Sequence, residues 1–132
     1  MTLTDDDKLA AQVAYAAATR AGDVDAVAAA TEPDAVVWHN YDDSVVTAEQ
    51  SARTLRWLHR TMPDVAWHDV AVLLTPEGFV WQAVVTGTAP GGPVRAHTCV
   101  VVRLSSSGKV QRTDEYLDPA ALAAIAGTPV RS

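Results

Sequence analysis

Among the side chains in this sequence with the chemistry to move a proton on carbon are the imidazole of His39, the carboxyl of Glu115 and the phenol of Tyr15. An imidazole titrates near neutrality, so His39 could take a proton from a carbon beside a carbonyl and return it. A carboxylate can do the same where an apolar surrounding raises its pKa. A tyrosine hydroxyl can donate to the oxygen that turns negative as an enolate forms. If His39 and Glu115 share a pocket, Glu115 would orient the ring and hold its cationic form. Each residue also has a purely structural reading. His39 could be pinned by a backbone carbonyl, Tyr15 could fill the gap between a helix and a sheet, and Glu115 could sit in water.

The elements that must position these groups are legible in outline. Glu115 lies in the long hairpin Pro93–Asp118, where two runs rich in β-branched residues flank the turn Ser105–Lys109. Asp118 followed by Pro119 then opens a short helix over Ala120–Ala126, stopped by Gly127. At the other end, Thr4 caps a first helix whose opening turn carries Asp5, Asp6 and Asp7, and Leu9, Val13, Ala16 and Ala17 give it an apolar face. Gly22 and Asp23 break it, and Val24–Ala30 reads as a second, short helix ended by Glu32, Pro33 and Asp34. His39 lies in a first strand, Ala35–Tyr41, whose alternation places Val37, His39 and Tyr41 together. After a loop at Asp42–Ser44, Thr47 and Gln50 form a capping box for a third helix running to Thr61. Further strands are expected over Asp64–Thr75 and Phe79–Ala89.

The expected order is therefore two helices, a strand, a helix, four turn-linked strands and a last helix. That order defines an α+β domain over residues 1–132, with a curved antiparallel or mixed sheet wrapped as a cone around helices on one face. The open end of such a cone holds an apolar pocket with a few polar groups.

The net charge of −6 over 132 residues disfavours a nucleic acid partner, which needs a cationic footprint. Cys99 is the only cysteine, so no intrachain disulfide can form, and a reducing, cytoplasmic setting is expected. The acidic start MTLTDDDKLA is not expected to be a secretory signal, and no later run is long and apolar enough to predict a membrane span. His59 and His68 lack metal-ligand spacing, and there is no phosphate loop or dinucleotide glycine pattern, so neither metal nor cofactor is expected. Arg53, Arg56 and Arg60 share one side of the third helix; a solvated face is the favoured reading over a site for an anionic ester.

The run Tyr15, Gly22-Asp23-Val24-Asp25-Ala26-Val27, Asp34-Ala35-Val36, with Gly108 and Tyr116-Leu117-Asp118 near the other end, resembles the nuclear transport factor 2-like superfamily. Within it, the chain is similar to the ketosteroid isomerase and SnoaL-like polyketide cyclase branch. The resemblance places Tyr15 on the family's oxyanion-binding tyrosine and His39 on the position of its catalytic carboxylate base. Glu115 falls on an inward position of the last strand, where the similar limonene epoxide hydrolases carry a catalytic carboxylate. Two departures narrow the chemistry. Gln82-Ala83-Val84 stands where those hydrolases have Arg-x-Asp, which argues against epoxide hydrolysis. Val100 or Val101 stands near the second, acidic oxyanion donor of the isomerases.

Parity alone leaves two choices open. Either Asp114 or Glu115 faces the pocket; the resemblance and Leu117 favour Glu115, with Arg112 and Asp114 paired outside. Either Trp81 or Gln82 points inward; apolarity favours Trp81 and the family parity Gln82. His97 shares this one-residue ambiguity, with a surface or interface position the favoured reading. The expected function is that of a small cofactor-independent enzyme that isomerises, cyclises or dehydrates a hydrophobic carbonyl compound. Tyr15, His39 and Glu115 would be catalytic, and Gln82, Trp57, Leu55, Val84 and His97 would line or flank the pocket. The alternative is a non-catalytic ligand-binding or dimerisation module. Trp38, Trp67 and alternate valines are expected to need cover on the outer face of the sheet, and this predicts a homodimer.

Overall fold

A computed structural model describes residues 2–127. The first helix, α1 (Asp5–Ala21), starts on the expected cap: the Asp7 amide donates to Thr4 Oγ1 at 3.1 Å, and the Thr4 amide donates to Asp7 Oδ2 at 2.9 Å. It ends at Gly22, whose φ of 64° is left-handed, and Asp23 caps α2 (Val24–Ala29) through the Ala26 amide. The strand β1 (Thr31–His39) then pairs with a short β2 (Ser44–Thr47) before α3 (Ala48–Thr61). Four strands follow, β3 (Ala66–Thr75), β4 (Gly78–Ala89), β5 (Gly92–Leu104) and β6 (Val110–Leu117), and α4 (Pro119–Ile125) closes the described chain.

The six strands form one sheet in the order β2-β1-β6-β5-β4-β3, antiparallel at every pair except β1 with β6, which run parallel. The fold class is as expected, with two local differences. The strand β2 adds a hairpin that the sequence hides, because Ser44–Thr47 is only four residues long and runs directly into the cap of α3. The segment Glu32–Asp34 continues β1 rather than breaking the chain. Its pairing with β6 shifts between Thr31 and Val36, and Pro33 lies exposed in this irregular stretch, where its missing N–H costs no ladder bond.

Two packed clusters stabilise the arrangement. One joins Ala16 of α1 to Phe79, Trp81, Ala83, Val100 and Val102 on the inner face of the sheet. The other joins Met62 at the end of α3 to Ala89, Val94 and Ala96 and to Ala124 and Ile125 of α4. The orientation of α1 differs from the apolar stripe in its sequence: Leu9 and Val13 are 46% and 58% exposed, whereas Lys8, Gln12 and Ala16 are buried. The reason is the polar end of Lys8, whose ammonium donates to the Thr75 carbonyl at 2.8 Å while its stem packs against the sheet. This rotation also carries Tyr15 towards the inner face.

Gly22 fixes where α1 turns back. A Cβ at this position would lie 2.7 Å from His59 Cδ2, on a backbone with φ +64°. At Gly108, with φ +79°, the nearest atom, Leu3 Cδ2, would be 3.9 Å away. We expect Gly108→Ala to cost about 1 kcal/mol, the backbone penalty alone, and Gly22→Ala to cost about 2–3 kcal/mol because the His59 ring must also move. Urea denaturation midpoints of the two variants check the difference.

Candidate functional site

The parallel pairing of β1 with β6 sets the geometry of the site. Val37 lies opposite Thr113 and His39 opposite Glu115, and all four side chains line a cavity between the sheet and the helices. Tyr15 reaches into it from α1. The phenol ring is held edge-on by Phe79 and by Trp81, each with a centroid separation of 6.0 Å. The cavity has a volume of about 160 Å³, and Leu55 and Leu58 of α3 with Trp67 and Trp81 of the sheet make much of its apolar lining.

The tryptophan wall is anchored from behind. The Trp81 indole N–H donates to Asp69 Oδ1 at 2.8 Å, and Arg20 pairs with the same carboxylate while its guanidinium sits 5.4 Å over the Trp81 ring. His59 stacks on Trp67 at 5.6 Å, and its Nε2–H donates to the Thr19 carbonyl at 3.0 Å. Ends of α1 and α3 and the strands β3 and β4 are thus tied together around two aromatic planes.

The ionisable groups inside are not at their ordinary values. Burial, with the Glu115 charge adding to it, pushes the Tyr15 phenol far up, against the opposing effect of a hydrogen bond with Thr113. Tyr15 is therefore a donor across the physiological range. Burial likewise raises Glu115; the nearby His39 opposes that shift and Asp42 adds to it. Tyr41, stacked on the His39 ring at 4.7 Å, is pushed up to about 12 by burial first and then by Glu115 and Asp42. His39 itself is 7% exposed, and its Nδ1 has no hydrogen-bond partner, so no backbone carbonyl pins that nitrogen. Its nearest acid is Asp42, with Oδ1 at 3.5 Å.

The structure brings together Tyr15, His39, Glu115 and Leu55 from the residues singled out in the sequence. It separates the other four. Gln82 and His97 are on the opposite face of the sheet, where they line an open groove with Asn40, Cys99 and Tyr116. Val84, two residues from Gln82 and paired with His97, shares their face and is absent from the cavity wall. Trp57 packs into the second core cluster beside Met62 and α4. Apolarity, not family parity, decides the β4 choice: Trp81 is 3% exposed and inward.

Trp67 corrects a further expectation, since it lines the cavity rather than the outer face. The pairing of β3 with β4 shifts between Asp69 and Ala71, so one extra residue is accommodated there. Counting back by twos from the inward Val72 would point His68 inward; the bulge inverts the count and turns Trp67 and Asp69 in instead. No simple period in the sequence signals it. Thr113 and Asp42 were also missed, the first because a strand threonine is unremarked and the second because it lies in a turn.

The curved six-stranded mixed sheet, closed by helices over an inward cavity, is the cone of the nuclear transport factor 2-like folds. The chain belongs to the SnoaL-like domain family, whose pattern matches residues 13–113. A protein described as a SnoaL-like polyketide cyclase from Jannaschia sp. superposes with a TM-score of 0.79 and 17% identity, over 98% of this chain and 99% of that one. A protein with a ketosteroid isomerase-like fold from Catenulispora acidiphila, in complex with trimethylamine, gives 0.75 and 16% over 91% and 94%. PrhC from Penicillium brasilianum gives 0.77 and 13% over 92% and 93%. Identities this low speak for the fold alone. No curated protein sequence matches the chain.

The raised Glu115 carboxyl has a consequence for stability. In the unfolded chain this group ionises near 4.5, and in the fold it holds its proton to higher pH. The native state therefore binds more protons in that window, and its stability falls as pH rises through it. Glu115→Gln removes the buried charge. We expect its melting temperature to exceed the parent's by several degrees at pH 8, with the gap closing towards pH 4. Thermal melts followed by circular dichroism across that range check the sign.

Proposed function

We propose that this protein is a cofactor-independent enzyme of the cytoplasm that moves a proton on a small hydrophobic carbonyl compound, as an isomerase, cyclase or dehydratase. The observation that carries the reading is the convergence of the Tyr15 phenol, the His39 imidazole and the Glu115 carboxyl on one largely apolar cavity. In this reading His39 removes the proton from carbon beside the carbonyl. The electron pair moves onto the carbonyl oxygen, which Tyr15 stabilises by hydrogen bonding. His39 returns the proton at the same or a conjugated carbon. Glu115 orients the imidazole and offsets its positive charge. The dry surroundings strengthen each of these interactions.

The size of the cavity narrows the substrate. A dry hole of about 150 Å³ holds one benzene ring, and this one measures about 160 Å³. A single ring with a short substituent fits this volume.

The test is proton exchange. Single-ring ketones and enones incubated with the protein in deuterium oxide should lose α-proton NMR signal faster than in buffer. Tyr15→Phe should slow the catalysed rate about 100- to 1000-fold and His39→Ala about 100-fold or more, with circular dichroism unchanged. Exchange at the buffer rate for every compound, or unimpaired exchange in both variants, would overturn the reading.

The outer face of the sheet fits a second copy of the chain. Val70, Leu73 and Tyr116 are 60%, 54% and 43% exposed there, beside the half-buried Trp38. Light scattering at micromolar concentration should give twice the chain mass. Val70→Glu with Leu73→Glu should halve it; a monomeric parent would sink this part of the proposal.

A further inference from the structure

We propose that Asp42 is the positioning residue of this site: it holds the proton of His39 on Nδ1, presents the Nε2 lone pair to the cavity, and stabilises the imidazolium that forms. This deepens the function proposed above and rests on it for the catalytic consequence, though not for the geometry.

The first observation is an orphan. Among the described residues, His39 Nδ1 is the one buried side-chain nitrogen or oxygen with no hydrogen-bond partner. A buried polar atom left this way is costly, and native structures rarely leave one without a reason. The acceptor within reach is Asp42 Oδ1, 3.5 Å away, a few tenths of an ångström beyond a hydrogen bond. A catalytic pair of this kind is commonly long in the empty site and shortens as charge develops.

The second observation is that Asp42 is held in place. Its Oδ1 accepts from the Ser44 amide at 3.0 Å. The next residue, Asp43, takes a left-handed φ of 51° and accepts from the Trp38 indole N–H at 2.8 Å. On the other side, the Asn40 amide donates to the Glu115 carbonyl at 3.0 Å, and Asn40 Oδ1 accepts from the Leu117 amide at 2.8 Å. The turn is therefore fastened to the very strand that carries Glu115. The Asp42 carboxylate cannot drift far from the ring without breaking bonds to its neighbours.

The third observation is the charge balance. The groups around the ring are Glu115 from β6, Asp42 and Tyr41 from the turn, and Tyr15 across the cavity. No Lys or Arg among the described residues forms an ion pair with Glu115 or Asp42. The imidazole is thus placed between an inner carboxyl that is buried and an outer one whose side chain is 46% exposed. With Nδ1 turned to the outer acid, the basic nitrogen is left for the cavity, which His39 lines. The proton balance closes simply. Neutral His39 carries its proton on Nδ1, gains the substrate proton on Nε2, and returns that same proton to the product.

The tautomer is directly measurable without any substrate. In the full chain labelled with 15N-histidine, long-range proton–nitrogen spectra distinguish Nδ1–H from Nε2–H, and the His39 signals are those lost in His39→Gln. The parent should carry the proton on Nδ1. Asp42→Ala should shift His39 towards Nε2–H, while the remaining bonds of Trp38, Asp43 and Asn40 keep the turn folded. Asp42→Asn retains an oxygen for the Ser44 amide but not the charge. On a ketone that the parent exchanges, it should lower kcat about 10- to 100-fold with KM within about twofold. A parent with the proton on Nε2, or a tautomer that is the same in Asp42→Ala as in the parent, would overturn the proposal. Because these spectra need no turnover, they separate its failure from that of the proposed reaction.

Discussion

The feature on which the rest of the molecule depends is the one parallel contact in the sheet. Every other pair of neighbouring strands is antiparallel and follows from short turns. The β1–β6 pair joins strands far apart in sequence, and it alone sets His39 beside Glu115 and Val37 beside Thr113. Closing so long a loop is entropically expensive, and the packed core around Phe79, Val100 and Val102 is what offsets it. A slip of one residue in this pairing would set His39 against Asp114 or Tyr116 and leave it on the opposite side of the sheet from Glu115. The chemistry of the site is in this sense a property of strand register.

Much of the scaffold was legible in the sequence because it is written in local, physical signals. Thr4 with Asp7, Thr47 with Gln50, and Asp118 before Pro119 each mark a helix start, and each satisfies the amides it was expected to satisfy. Inward placement of Glu115 followed from the family resemblance and from Leu117, since alternation alone left Asp114 as the other choice. What was not legible depends on non-local register. Trp67 faces the cavity because of a bulge whose only trace is a pairing shift two residues later. The buried side of α1 was misjudged because Lys8 behaves as a buried residue once the Thr75 carbonyl is there to receive it. Gln82 was pointed inward by analogy, when the indole of Trp81 already occupied that direction. Asp42 could not be found from the sequence at all, since a turn aspartate has no period to betray it.

The site combines two environments that pull in opposite directions. Burial raises the proton affinity of Tyr15 and of Glu115, and the neighbouring His39 opposes the shift of Glu115. The half-exposed Asp42 lies 3.5 Å from the buried His39 ring, which stacks on Tyr41.

The bulge in β3 divides that strand into two segments with independent aim. Downstream of Ala71 the side chains answer to Phe79 and Val80; upstream, Trp67 and Asp69 answer to Val85 and Ala83. A lineage that gains or loses one residue at Val70 would exchange Trp67 and Asp69 for the side chains now facing outward, while leaving Trp81, Tyr15, His39 and Glu115 on elements it does not touch. The breadth of the cavity and the ionisable groups that line it can therefore diverge separately.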